Sequence, residues 1–374
     1  MHSVTETFDL AIIGAGICGL AHALAASRLG KRVIVIDRDA QANGASIRNF
    51  GFVTVTGQQR GEGWRRAMRS RDVWAELAPV AGIEIVHRGL VVAARRAEAC
   101  EVLEAFRATE MGEACELLDP AAARARFPLL NDVAGALYSP HELRVESRTA
   151  IPRLAGFLAE AHGVVFRRGV SVHTVEPPTI VTSGGTIHAD AAVVCPGDDF
   201  TGLFRERLQD CRLTRCKLHM MRLAPIGGSV DAGIMSDLGL VRYLGYAVLP
   251  EAQALRERLE DEQAEHLANG VHLIVVRSAD GSLVVGDSHH YAATPDPFAP
   301  ESVDELILDE MRAVLAVDEV RVIERWTGTY ASADDRLALI DRPSDAVRLV
   351  LITSGTGAST SFAIAEEVIA DLYG

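Results

Sequence analysis

Residues 9–37 read DLAIIGAGICGLAHALAASRLGKRVIVID. The apolar run 7–13 predicts a strand buried on both faces, as in a parallel sheet. Gly14, Gly16 and Gly19 then form a GxGxxG turn, and an alanine-rich helix runs on to a C-terminal stop at Gly30. RVIVID (32–37) predicts a second buried strand. In such a strand–turn–helix–strand unit the first glycine permits the tight turn. The second lets a pyrophosphate approach the backbone, and the third lets helix and strand pack closely. The helix N-terminus, with Ile17 and Cys18 in its first turn, directs amide N–H groups and a partial positive charge at phosphate. Asp37 closes the second strand, where a carboxylate accepts hydrogen bonds from both ribose hydroxyls and repels a 2′-phosphate, which disfavours NADP.

The chain of 374 residues suffices for one large domain or two intertwined ones. Hydrophobic residues make up 48% and charged residues 24%, as in soluble globular proteins. A net charge of −14 argues against non-specific nucleic-acid binding. The apolar N-terminal segment lacks a basic flank and is interrupted by glycines, so it does not fit a secretory signal, and no stretch is apolar enough to insert in a membrane. The six cysteines are scattered without a CxxC pair. The expectation is reduced, mostly buried thiols in a cytoplasmic protein, with no metal site.

Further along, helices are predicted over about 61–79, 97–112, 119–126 and 148–163, with strand-like runs near 83–94 and 189–197. From about 210 to 325 the rhythm changes. CKLHMMRLAP (216–225) and VHLIVVRSADGSLVVGDS (271–288) suggest an antiparallel sheet. Asp280-Gly281 marks a hairpin turn, and helices near 251–267 and 301–315 cover one face. The buried strand VRLVLIT (347–353), the turn SGTGAST (354–360) and a terminal helix return to the opening style. The expected fold is therefore α/β, a Rossmann-like domain of the glutathione-reductase type with an inserted antiparallel-sheet α+β domain. Residues 1–82, 141–208 and 326–374 are assigned to the first domain, and 83–140 and 209–325 to the second.

One fingerprint does not separate NAD from FAD, but two further segments do. ADAAVVCPG (189–197) sets a buried strand against Pro196-Gly197, where backbone again approaches a cofactor. In SGTGAST, Gly355 and Gly357 precede the last helix, whose amides would face the pyrimidine end of a flavin. In these segments the sequence resembles the glycine oxidase/D-amino acid oxidase/sarcosine oxidase family of FAD-dependent enzymes, a likeness that spans nearly its whole length. The resemblance implies bound FAD, oxidation of a C–N bond and a substrate domain inserted in the FAD domain. A finer likeness, to a branch associated with aminophosphonate breakdown, rests on GASIRNFG (44–51), RSRDVW (69–74), GDSHHY (286–291), WTGTYAS (326–332) and TSGTGASTSFAIAEEVI (353–369).

The cofactor is expected to contact Gly14, Gly16, Ile17, Cys18, Gly19, Asp37, Arg38, Ser46, Arg48, Asn49, Val172, Pro196, Gly197, Gly355, Gly357, Ala358, Ser359 and Thr360. In this family the loop corresponding to GASIRNFG passes beside the flavin ring. Arg48 is placed on the pyrophosphate or on a substrate anion, since a guanidinium binds phosphate, phosphonate or carboxylate with two parallel hydrogen bonds. Asn49 is read as shaping the loop or touching the flavin.

Family members often clamp a substrate carboxylate with an arginine in a WxGxR-like segment; here Tyr330 stands in that place. Others use a lysine at the C-terminal glycine turn, where this chain has Ala358, Ser359 and Thr360. No cysteine stands where such members tether the flavin, so non-covalent FAD is expected. The substrate anion is left to Arg48, Lys217, His219, Arg242, His289 or His290, with Tyr243 and Tyr330 lining the pocket. Strand alternation puts His289 and His290 on opposite faces and favours His289 for the cavity.

The expected chemistry starts from a neutral amine, which desolvation favours. A hydride passes to the flavin, the imine hydrolyses to an aldehyde or keto product, and O2 reoxidises the cofactor. This scheme requires no dedicated side-chain base. The alternatives are a D-amino acid or N-methyl amino acid dehydrogenase with another acceptor, a C–OH dehydrogenase on the same scaffold, and a non-catalytic FAD-bearing subunit.

Overall fold

A computed structural model describes residues 6–317 and 319–374; residues 1–5 of the expected first segment and Asp318 of the inserted one lie outside the described residues. The opening strand (Thr7–Ile13) lies at the centre of a sheet. Val33–Asp37 and then Val165–Arg168 stand on one side of it. Gly185–Val194, Val347–Ile352 and the edge strand Ala338–Ser344 stand on the other. All neighbours pair in parallel except the last two. The strand order reverses between Thr7–Ile13 and Gly185–Val194, and ligands bind in the crevice that such a reversal opens at the carboxyl ends of the strands.

The apolar run buries both faces, as its composition demands. Leu10 and Ile12 join a core with the helices Ile17–Arg28, Ser147–His162 and Gly357–Tyr373. The alanines of the opening helix keep that layer thin, with Ala21, Ala23, Ala25 and Ala26 all buried. Glu62–Val80 packs outside the terminal helix, with the Trp74 and Phe362 rings 5.1 Å apart edge to face and Trp74 Nε1 donating to Ala358 O at 2.8 Å. On the opposite face, Ala11, Ile34 and Ile36 pack under an antiparallel meander formed by Val172–Glu176, Thr179–Thr182 and the start of Gly185–Val194.

The second sheet has ten strands and is antiparallel with one exception: Gly233–Ser236 runs parallel to Ile85–Ala94. Phe52–Val53, which follows the GASIRNFG loop, belongs to this sheet through Gly135–Val145. Gly135–Val145 and Val322–Ser332 each run unbroken through positions 140/141 and 325/326. The predicted hairpin at Asp280-Gly281 joins Ile274–Arg277 to Leu283–Gly286, with Gly281 at φ 82°.

Two helices are shorter than predicted. The first ends at Arg107 and is followed by a separate single turn, Glu110–Gly112. The helix expected over 251–267 breaks at Gln263 into Ala252–Glu262 and Ala264–Ala268. The Gln263 side chain accepts from Arg96 at 2.8 Å and donates to Glu310 at 2.7 Å, which ties the break to two other elements. No helix among the described residues is long and apolar enough to cross a membrane.

Candidate functional site

One cavity of about 790 Å³ starts at the reversal point and runs between the two sheets. It is lined by the glycine turn at one end and by Arg242, His272, Asp287, His289 and Tyr330 at the other.

The nucleotide end is built by close backbone approach. Gly14 has φ 107°, and a Cβ there would lie 2.4 Å from Cys195 O. A Cβ on Gly19 would lie 1.8 Å from Gly14 O, so helix and turn meet with no room for a side chain. A Cβ on Gly16 would meet the Ser46 hydroxyl at 2.9 Å, and Gly16 offers the opening helix no side-chain cap. Asp37 accepts from Ala15 N at 2.5 Å and Asp39 N at 2.8 Å, which fixes its carboxylate at the rim. Arg38 pairs with Asp199 at 2.8 Å. Val172, Pro196 and Gly197 line the far wall, with Gly197 at φ 65°.

These features fit a dinucleotide: the turn has no room for a Cβ at Gly14 or Gly19, and a helix N-terminus opens onto the cavity. Beneath the turn, Cys18, His22 and Cys195 come together, Cys18 and Cys195 each with Sγ 3.9 Å from His22 Nδ1. Cys115, Cys195 and Cys216 are buried, whereas Cys18, Cys100 and Cys211 are only half-buried.

The GASIRNFG loop packs over this end. Ser46 Oγ accepts from Ile17 N at 2.9 Å. Asn49 shapes the loop, donating to Ala45 O at 2.6 Å and accepting from Gly51 N at 2.6 Å and Ser147 Oγ at 2.8 Å. Arg48 lines the cavity, donating to Asn43 Oδ1 at 3.1 Å, while its own carbonyl accepts from Trp326 Nε1 at 3.2 Å. Gly355, Gly357 and Ala358 also line the cavity. Ser359 and Thr360 do not: they face inward from the first turn of the terminal helix, Ser359 Oγ accepting from Thr54 N at 2.9 Å and Thr360 Oγ1 donating to Thr356 O at 3.0 Å.

At the other end, Arg242 donates to the Tyr291 hydroxyl at 2.7 Å and forms no ion pair among the described residues. Burial works against its charge, but Tyr291, Tyr330 and Asp287 outweigh that and raise its pKa. Tyr243 and Tyr330 line the cavity, both with phenol pKa values raised by burial. His289 faces the cavity and His290 does not; the His290 ring lies 5.7 Å from that of His219, tilted by 51°.

Two other sequence candidates are structural. Lys217 is buried and donates to Asp296 O at 2.8 Å and Phe298 O at 2.6 Å, so it pins a loop. His219 pairs with Asp304 at 3.0 Å beneath the helix Glu301–Val314. Alternation alone does not distinguish a cavity face from a helix-covered face, so these two stood with the rest.

Sequence reasoning missed His272 and Asp287. Both are buried and line the cavity beside His289. His272 Nδ1 lies 3.2 Å from Asp287 Oδ1, and His289 Nε2 lies 3.8 Å from Asp287 Oδ2. Burial raises Asp287 to about 8, with Arg242 opposing. Burial and then Arg242 hold both imidazoles well below the ordinary histidine range. One signal was available: Asp287 and His289 are two apart in GDSHHY, so a cavity-facing His289 brings Asp287 to the same face.

A family model described as DAO, FAD dependent oxidoreductase, matches residues 9–372. The chain belongs to this family. Its cofactor is FAD and its class is oxidoreductase. The fold matches glycine oxidase from Geobacillus kaustophilus with TM-score 0.77 and 18% identity, over 98% of this chain and 95% of that one. It matches L-proline dehydrogenase from P. horikoshii with TM-score 0.78 and 19% identity, over 98% and 93%. A curated relative, the bifunctional protein ThiO/ThiG of Nostoc sp., is 23% identical over 347 residues, 89% of this chain; the chain spans 48% of that relative's length.

Proposed function

We propose that this enzyme oxidises the C–N bond of a small anionic amine, with an aminophosphonate as the substrate class and O2 as the acceptor. Arg242 carries the reading: a guanidinium on the cavity wall that bonds the Tyr291 hydroxyl and has no ion pair among the described residues. A planar guanidinium holds two oxygens of a phosphonate in parallel hydrogen bonds, and Tyr291 orients it. Arg48 belongs to the cofactor end, because its guanidinium is tied to Asn43 in the segment that follows Asp37 and Arg38.

When bound, non-covalent FAD supplies the two-electron acceptor. The chain's own residues bind the anion, shield the amine from water and hold it against the cavity wall. Structural neighbours named for amino acids stand beside one named L-alpha-glycerophosphate oxidase, so C–OH oxidation is the competing reading.

An anaerobic flavin-bleaching panel tests the proposal. 2-Aminoethylphosphonate and its N-methyl derivative should bleach the flavin where D-alanine, glycine, sarcosine and glycerol 3-phosphate do so poorly. Preferential bleaching by D-alanine would remove the phosphonate, and bleaching by glycerol 3-phosphate alone would remove the amine.

A further inference from the structure

Asp287, His272 and His289 converge on one point of the cavity wall, His272 Nδ1 3.2 Å from Asp287 Oδ1 and His289 Nε2 3.8 Å from Asp287 Oδ2. The His289 Nδ1 lies 2.9 Å from Gly270 O; a carbonyl only accepts, so Nδ1 carries the proton and the bare Nε2 faces Asp287 Oδ2. The His272 Nε2 lies 3.2 Å from the Tyr243 hydroxyl. Its Nδ1 faces Asp287 Oδ1, and both of these atoms are buried without a hydrogen-bond partner. Unpartnered buried polar atoms are costly, and a converging set of them marks a place for a ligand. The ligand must be a donor, and a carboxylate at its centre asks for a cation. An alkylammonium group offers N–H donors to the ionised Asp287 carboxylate and to the bare His289 Nε2.

We infer that Asp287, flanked by His272 and His289, receives the substrate's ammonium group and takes its proton, while Arg242 holds the anion at the other end. The inference rests on the amine-oxidation reading above and names the polar handles of its substrate. The step balances: on binding the ammonium, Asp287 gives its own proton to solvent; an ammonium N–H bond then breaks, its proton moves to an Asp287 oxygen, and the nitrogen keeps the electron pair that C–H cleavage requires. It supplies the base that the sequence alone did not call for.

The groups facing Asp287 come from four elements. Arg242 and Tyr243 stand on the turn after Asp237–Val241, and His272 precedes Ile274–Arg277. His289 and Tyr291 follow Asp287, and Cys216 lies on Thr214–Leu223. Of these only Arg242 carries a fixed charge, and it favours ionised Asp287.

The test uses the holoenzyme and two non-oxidisable probes. One is 2-amino-2-methylpropylphosphonate, whose carbon bearing nitrogen has no hydrogen; the other is its amine-free counterpart, 2-methylpropylphosphonate. Perturbation of the flavin spectrum reads binding. The wild type should bind the amine at least ten-fold more tightly. Asp287→Asn should erase that preference while changing the amine-free probe's Kd less than two-fold, and Asp287→Glu should restore part of it.

Calorimetry on the wild type in two buffers of different ionisation enthalpy gives a measurement independent of any variant's folding. With free Asp287 titrating near 8, binding the ammonium at pH 7 should release about one more proton than binding the amine-free probe, and the difference should vanish above pH 9. An amine preference that survives in Asp287→Asn, equal proton release, or no binding of the amine by the wild type would each overturn the inference. So would one divalent metal ion per purified chain that is lost in Asp287→Asn, which would give the trio to a metal. Failure of the broader reading looks different: no amine in the bleaching panel would reduce the wild-type flavin.

Discussion

At the residue scale, the site depends on atoms that are missing and atoms that are unpaired. Gly19 is the clearest missing Cβ: one added there would overlap Gly14 O at 1.8 Å, and neither partner is a flexible side chain. Gly19→Ala should displace the phosphate turn and lower FAD retention at least ten-fold, read as the flavin-to-protein absorbance ratio after gel filtration. Gly44→Ala, where a Cβ meets nothing within 4 Å, should retain FAD normally. Asp287 is the clearest unpaired group. Its carboxyl shifts from 3.8 to about 8 through burial, so the folded state holds that proton across the intervening range. The penalty is absent below the unfolded value and grows as pH rises toward 8, by about 1.4 kcal/mol per pH unit at most. In apoprotein melts, Asp287→Asn should therefore gain stability over the wild type steadily from pH 4 to pH 8. A constant difference would show that Asp287 is ionised and satisfied throughout.

At the element scale, strand position and strand neighbour separate Lys217 from Arg242. Lys217 lies on Thr214–Leu223 with its ammonium on two carbonyls of the loop at 296–298. Arg242 ends a short helical turn and faces open cavity. Lys217→Met should thus destabilise the fold by about 1–3 kcal/mol, through lost charge-assisted hydrogen bonds and two stranded carbonyls, and leave KM within two-fold. Arg242→Met should raise KM for an anionic amine about 100-fold with little change in melting temperature. Equal KM effects would mean that the sheet face was assigned wrongly.

The same contrast shows what was legible in the sequence. The glycine turn, Asp37 and the terminal SGTGAST turn were readable because each requirement is local: a turn, a cap, a strand end. Alternation within GDSHHY correctly separated His289 from His290. His272 was not readable, because VHLIVV scans as one buried strand and only the pairing of Ile274–Arg277 with its neighbours brings His272 beside Asp287. The short strands that lead to ADAAVVCPG are readable, but their pairing into a meander over the parallel sheet is not, since strands of four or five residues do not name their neighbours.

At the scale of the whole molecule, the cavity has two owners. Gly14, Asp37, Pro196 and Gly355 belong to the parallel-sheet half, whereas Leu218, Ile274 and Tyr330 lie on or beside the second sheet. The apolar clusters cross between the halves, Val53, Leu143 and Val145 of the second sheet joining the core of the opening helix, while the cavity is lined from both sheets. FAD bound there acts on the folding equilibrium by mass action: it binds the assembled cavity and not the unfolded chain. At free FAD 100-fold above Kd it adds about 2.7 kcal/mol. Apoprotein prepared at acid pH should accordingly melt several degrees below holoenzyme, and titrated FAD should restore the difference logarithmically once its concentration exceeds Kd. Because the GASIRNFG loop lines the cavity and crosses between halves, proteolysis of the apoprotein should quicken there first, and FAD should protect it. Flavin that stays with the denatured chain in acid would demonstrate a covalent link and remove the mass-action argument. Restoration of the melt without protection of the loop would show that the cofactor steadies one half alone.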